Sequence, residues 1–207
     1  GVQMAGWFKK EINSLDDFAG INMRIPGLGG EVFKEVGGVP VTLTGGEIFV
    51  SLQTGAIDAT EWVGPYNDLA FGLHRAAEYY YHSGWHEPGT MLEFIVNEKA
   101  FETLPSDLQA IVRIAIRAVN QDMLDEYTAA NNNAMQALKN THGVDMRPLP
   151  SDVMSALKKA SIEVMQEQSD SDPVFAKIYA AYLDFQNNAS QYHKISEHEY
   201  YENRSKD

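Results

Sequence analysis

Cysteine is absent from the 207 residues. That removes disulfides, thiolate metal sites and cysteine nucleophiles, and it is compatible with either a reducing or an oxidising compartment. Cations are scarce: 16 Lys and Arg stand against 29 Asp and Glu, for a formal charge of −13. Phosphate contacts need clustered cations, so this balance disfavours a nucleic-acid partner, and it equally disfavours polybasic attachment to anionic lipid. No apolar run approaches the roughly 20 residues of a membrane-spanning helix. A signal peptide is also lacking, and the opening Gly1–Val2–Gln3 reads like the middle of something, which points to a fragment or a processed product.

What is present is ordinary for a soluble globular protein, with 44% hydrophobic and 22% charged residues and enough length for one large domain or two small lobes. The chain changes character near residue 100. Before it lie Gly, Pro and short apolar runs; beyond it Gly almost vanishes and helical periodicity takes over. In the first half, Ser14 with Asp17 makes a capping-box-like start that Gly20 closes, and Thr44 with Glu47 repeats the device before Gly55. Strands are expected at 22–25, 40–43, 57–62 and 93–97, alternating with short helices, which argues for an α/β fold with a mostly parallel sheet. In the second half, Ser106 and Gln109 read as a capping box for a helix running to about Asn140, Ser151 starts another, and Asp172–Pro173 starts a third. The tail from Ile195 carries no core pattern. No internal repeat is visible.

Arg24 is the residue on which the chemistry turns. It ends a short strand and feeds a glycine-rich stretch, and a guanidinium can grip a carboxylate with two parallel hydrogen bonds. Glu61–Trp62 ends the strand expected at 57–62, where α/β sheets collect ligands. The pair reads either as a surface acid beside a core indole or as a carboxylate and an aromatic wall of a site. The segment 79–89 is the densest aromatic and polar cluster, and reads either as a small-molecule cleft or as an aromatic hinge or edge strand. His82, His86 and Glu87 within it invite zinc, but Gly84 and Pro88 argue against the helix such spacing needs, and a hard cation on oxygen ligands fits better. Gly27, Gly29, Gly30 and Gly37–Gly38 match neither the Walker spacing nor the dinucleotide fingerprint and are assigned to turns. No Gly-x-Ser-x-Gly elbow occurs.

Several ordered stretches together resemble the substrate-binding subunits of tripartite ATP-independent periplasmic (TRAP) transporters, the DctP family. They are residues 1–8, Met23–Arg24–Ile25–Pro26–Gly27–Leu28–Gly29–Gly30, residues 46–59, Glu61–Trp62–Val63–Gly64–Pro65 and Gly84–Trp85–His86–Glu87–Pro88–Gly89. The last two look most like the branch that binds 2-oxo or 2-hydroxy monocarboxylates together with a metal ion. The resemblance implies an α/β, type II periplasmic-binding-protein-like lobe with a mostly parallel sheet and long C-terminal helices. The chain would begin inside the family sequence and lack most of the first lobe.

The resemblance also implies roles. Arg24 matches the arginine that pairs with the substrate carboxylate, and Gln3 a glutamine touching both ligand and cation. Glu61 and Glu87 match the acids that hold the cation, sodium or calcium, and Trp62 the residue that lends it a backbone carbonyl. Substrate binding thus falls to Gln3, Arg24, Trp62 and Glu87, and metal binding to Gln3, Glu61, Trp62 and Glu87. The expected role is capture of a pyruvate- or lactate-like anion in the periplasm for TRAP membrane subunits, without catalysis, and the terminal helix matches an element some members exchange in a homodimer. The alternative is a metal-assisted enzyme acting on a small carboxylic acid through Glu61 and Glu87. The expected organisation is an α/β portion over 1–56, a segment crossing between lobes over 57–97, a helical part over 98–194 and a polar tail over 195–207.

Overall fold

A computed structural model describes residues 3–89 and 92–205. Its contacts divide into two units, Gly1–Lys158 and Lys159–Asp207. The first unit is built on a six-stranded sheet whose spatial order is β3-β2-β4-β1-β5-β6. The strands are β1 (Gly6–Phe8), β2 (Asn22–Arg24), β3 (Val39–Val41), β4 (Ala59–Thr60), β5 (Tyr79–His82) and β6 (Asp145–Pro148). Three of the five pairings are parallel; β1 runs antiparallel to both β4 and β5. The sheet is therefore mostly parallel, as the alternation of strands and helices in the sequence implies.

Strand periodicity explains why β1 sits in the middle. Successive side chains point to opposite faces, so a strand covered on both sides reads as continuous apolar sequence. Trp7 stacks on Tyr80 at 4.0 Å on one side, within a cluster containing Ile48, Leu52, Ile57, Leu73 and Leu138. Phe8 meets Tyr81 edge-on at 5.3 Å and Phe18 at 6.1 Å, and Phe18 continues to Phe33. Sequence patterning alone does not anticipate β1 or β6, and β5 is an interior strand rather than the edge strand or hinge its aromatic composition suggests.

The local helix signals behave unevenly. Ser14 and Asp17 form a reciprocal capping box around the short 3₁₀ helix Leu15–Phe18, and Thr44 and Glu47 do the same for α2 (Gly45–Thr54), which Gly55 ends at φ 79°. The expected box at Ser106 is not made. α5 (Ser106–Asn140) starts one residue earlier in register, with Pro105 at the cap and the Gln109 side chain donating to the Leu104 carbonyl. The glycine-rich stretch after Arg24 is not a loop. It is the first turn of α1 (Gly27–Glu35), capped by Pro26. A side chain at Gly30 would put its Cβ 2.7 Å from the Ile25 carbonyl oxygen, so this glycine permits close packing rather than a turn.

Residues 92–97 form no strand, which corrects the expectation for 93–97. Leu92, Phe94, Ile95 and Val96 are exposed and no ladder reaches them among the described residues. Alternation supplies an apolar edge, but a strand also needs a partner. The helix α4 (Glu98–Glu102) follows, started by Asn97, whose side chain accepts from the Ala100 N–H. α3 (Pro65–Phe71) packs on α5, tied to it by the Tyr66 N–H donating to Asn131 at 2.9 Å and Asn67 donating to the Tyr127 hydroxyl at 3.2 Å.

α6 (Ser151–Ser171) begins in the first unit and ends in the second. The second unit continues with α7 (Pro173–His193), where Asp172 caps by accepting from the Val174 N–H. The polar tail then stays helical, through a π turn at Lys194–His198 and α8 (Glu199–Arg204). Val174, Ile178, Tyr182 and Phe185 stand exposed along α7. No helix is long and apolar enough to cross a membrane among the described residues.

Candidate functional site

The register of the parallel strands brings the key residues together. Arg24 lies opposite Thr60 across the β2–β4 pair, so Arg24 and Glu61 emerge side by side at the carboxyl ends of neighbouring strands. The Glu61 N–H donates to the Arg24 carbonyl, and the Thr60 hydroxyl donates to the Glu61 carbonyl at 2.8 Å. This is where open α/β sheets hold ligands. A cleft of about 440 Å³ opens there, lined by Arg24, Glu61, Trp62, His86, Glu87 and the segment Pro26–Gly29. The N-terminus of α1 thus forms one wall, and its partial positive charge suits an anion.

Arg24 and Gln3 are held by their neighbours, whereas the Trp62 indole N–H and both His86 ring nitrogens are buried without a hydrogen-bond partner among the described residues. The Arg24 Nη1 donates to Glu61 Oε1, its Nε donates to the Leu43 carbonyl at 3.3 Å, and the guanidinium lies 5.4 Å from the centre of the Trp62 ring. The Glu61 side chain is 4% exposed and the Arg24 side chain 12%. The indole of Trp62 rests against Phe71 at 4.9 Å, and a side chain at Gly45 would meet it at 2.8 Å. His86 Nε2 lies 3.4 Å from Glu61 Oε2 with its imidazole also 4% exposed. Gln3 donates from Nε2 to Glu87 at 2.9 Å, while its carbonyl accepts from the Gly84 N–H at 3.0 Å. A Cβ at Gly84 would lie 2.5 Å from that carbonyl, so glycine is what lets residues 3 and 84 meet.

The expected residues are therefore gathered: Arg24, Glu61, Trp62 and Glu87 line one cleft, and Gln3 reaches it through Glu87. His82 does not line it; it belongs to β5 and is exposed. No group of three or more His, Cys, Asp or Glu side chains able to hold a metal is formed among the described residues. Apart from the single His86 imidazole, the donors near the cleft are carboxylate and amide oxygens, and one nitrogen ligand among oxygens suits a hard cation better than zinc.

Asp68, which sequence reasoning passes over, secures the loop behind the site. It is buried and accepts four hydrogen bonds, from Trp7 Nε1 at 2.9 Å, the Tyr80 hydroxyl at 2.7 Å, and the Val63 and Gly64 N–H groups at 3.2 and 3.1 Å. Burial pushes its carboxyl up to about 6 against the pull of those four donors, and burial with the nearby Asp68 charge drives the Tyr80 phenol well above its usual range. One carboxylate thus ties β1 and β5 to the segment that immediately follows Glu61–Trp62. The only sequence signal was an acid in the first turn after Pro65, which says nothing of its partners.

Fold and cleft together have the form of one lobe of a ligand-binding protein: an open cleft at the carboxyl ends of a mostly parallel sheet, with a mostly buried arginine beside a buried carboxylate. The chain belongs to the bacterial extracellular solute-binding proteins of family 7 (DctP), which it matches over residues 1–172. Over 200 residues it is 41% identical to a monocarboxylate 2-oxoacid-binding periplasmic protein of Nostoc, covering 97% of this chain and 55% of that relative. It superposes on a TRAP periplasmic solute-binding protein of Colwellia psychrerythraea, solved with calcium and pyruvate, with TM-score 0.93 and 43% identity, covering 98% of this chain and 62% of that one. A second, from Pseudoalteromonas atlantica with sodium and pyruvate, gives 0.92 and 40%, over 98% of this chain and 61% of the other. The chain thus spans little more than half the length of these relatives.

Proposed function

We propose that the chain is the ligand-gripping part of a periplasmic solute-binding protein that takes a small 2-oxo or 2-hydroxy carboxylate, pyruvate- or lactate-like, with a sodium or calcium ion and delivers it to TRAP membrane subunits. The observation that carries this reading is the setting of Arg24. Its guanidinium is oriented by Glu61, Leu43 and Trp62, and Nη2 makes no hydrogen bond among the described residues, leaving donors for a ligand carboxylate. Orientation in advance spares the ordering cost that a free arginine would meet on binding.

In this reading Gln3, Arg24, Trp62 and Glu87 contact the acid, and Glu61, Glu87, Gln3 and the Trp62 carbonyl hold the cation. A bound cation supplies positive charge between the two glutamates and an anchor for the oxygen beside the ligand carboxylate, which favours 2-oxo and 2-hydroxy acids over simple fatty acids. Glu61, Glu87 and the ligand together bring three negative charges against one from Arg24. A divalent cation neutralises the set, which lowers the cost of enclosing it. The enzyme alternative has no support, because the family is one of solute-binding proteins. The exposed apolar stripe on α7, from Val174 to Phe185, is the surface we assign to a second copy of the chain.

The test is titration calorimetry with pyruvate, with and without calcium, on the wild type and on Arg24→Lys. Loss of the two-pronged grip is expected to weaken binding at least tenfold, on the order of 1.4 kcal/mol. Undiminished affinity in Arg24→Lys would remove Arg24 from the assigned role, and product formation over hours would restore the enzyme reading.

A further inference from the structure

The geometry assigns His86 as the positioning residue for Glu61, and so for the cation site, on which reading of the function this inference rests. Its imidazole is 4% exposed, and both ring nitrogens are buried without a hydrogen-bond partner among the described residues. Buried polar atoms in native proteins are satisfied, so an unpartnered pair at a ligand cleft marks a contact completed by something else. The polar atom facing Nε2 is Glu61 Oε2 at 3.4 Å, a carboxylate oxygen that can only accept. That places the ring proton on Nε2.

Glu61 is then addressed at both ends: Arg24 donates to Oε1, and the His86 Nε2 stands 3.4 Å from Oε2, within reach of donating to it. A carboxylate gripped on each oxygen cannot rotate, and its remaining lone pairs face the cleft in one direction. The 3.4 Å separation is long for a hydrogen bond, as such contacts commonly are in a ligand-free site, and a small closure of the cleft would complete it. Gly29 lies beside His86: a Cβ there would press on Ile25 Cδ1 at 3.2 Å and touch the His86 Cβ at 3.4 Å, so the first turn of α1 packs directly against the residue that carries the ring. Histidine thus acts here on the metal ligand rather than as one, which reconciles its buried place in the cleft with the all-oxygen donor set.

The experiment is calorimetry of calcium chloride with sodium pyruvate on the full chain as wild type, His86→Leu and His86→Gln, with ¹⁵N-correlated spectra of the histidine rings. Losing a group that orients a metal ligand typically costs about 10–100-fold in metal affinity, and that loss is expected for His86→Leu. Glutamine keeps an N–H donor and is expected to recover most of it, which a merely space-filling role would not predict. In the wild type, a downfield Nε2–H resonance of His86 should emerge on adding calcium and pyruvate. Binding by His86→Leu within twofold of wild type, a folded glutamine variant as weak as leucine, or a ring proton on Nδ1 would each overturn the assignment while leaving the functional reading intact. A wild type that binds neither calcium nor pyruvate would overturn both.

Discussion

Replacing Asp68 by Asn separates two opposed forces at one buried group. The carboxylate faces four donors and no acceptor. An amide can serve two of them with its oxygen, but its NH₂ must then face the other pair. Turned toward Val63 and Gly64, the oxygen leaves the NH₂ against the Tyr80 hydroxyl, which can rotate to accept, and the Trp7 indole, which cannot. An orphaned buried N–H costs about 1–3 kcal/mol.

Against this, the wild type must bury a charge. Burial raises its folded pKa to about 6 from the 3.8 of a free aspartate, and at 1.36 kcal/mol per unit the ionised form is disfavoured by about 3 kcal/mol relative to the protonated one. A raised folded pKa means that the stability contributed by Asp68 is full below about pH 4 and is lost as pH rises through 6. Asparagine has no such dependence. Urea unfolding of both proteins from pH 4 to 7.5 should therefore show the wild type more stable throughout at the acid end, with its advantage shrinking by up to about 3 kcal/mol toward neutrality. A gap that widened with pH would mean that four donors outweigh desolvation, and would refute the reasoning.

Three further expectations follow from close contacts and exposed surfaces. Gly84→Ala places a Cβ 2.5 Å from the Gln3 carbonyl, so it should part residues 3 and 84, cost on the order of 2 kcal/mol in urea unfolding, and weaken ligand binding through the Gln3–Glu87 contact. Tyr80→Phe removes a hydrogen bond that lowers the Asp68 pKa, so carboxyl titration followed by NMR should move to higher pH than in the wild type. Tyr182→Glu with Phe185→Glu should leave the melting temperature nearly unchanged but lower the mass seen by light scattering if the α7 stripe joins two copies; an unchanged mass would dismiss that surface.

The sequence was most legible where structure is local. The Thr44–Glu47 box and Gly55 delimit α2 within a few residues, and Arg24 and Glu61 stand out because each lies at the carboxyl end of a strand expected from the sequence. It was least legible where structure is made by distant pairing. β1 is three residues long and becomes a strand only because β4 and β5, more than 50 positions away, flank it; β6 alternates Asp145, Met146, Arg147 and Pro148 but is too short to stand out without its pairing to β5. The run at 93–97 shows the converse, a strand-like pattern without a partner. Asp68 was unreadable for the same reason, since two of its four partners, Trp7 and Tyr80, lie 61 positions upstream and 12 downstream.

The placement of β1 has a mechanical meaning. It is the one strand that bridges β2, β3 and β4 on one side to β5 and β6 on the other. A short loop upstream of it sits Gln3, joined to Gly84 and Glu87. Tension applied along the chain at residue 3 would load the Gln3 contacts with Gly84 and Glu87 before the seam between the two halves of the sheet, so that opening of the cleft and fracture of the fold share a single point of failure.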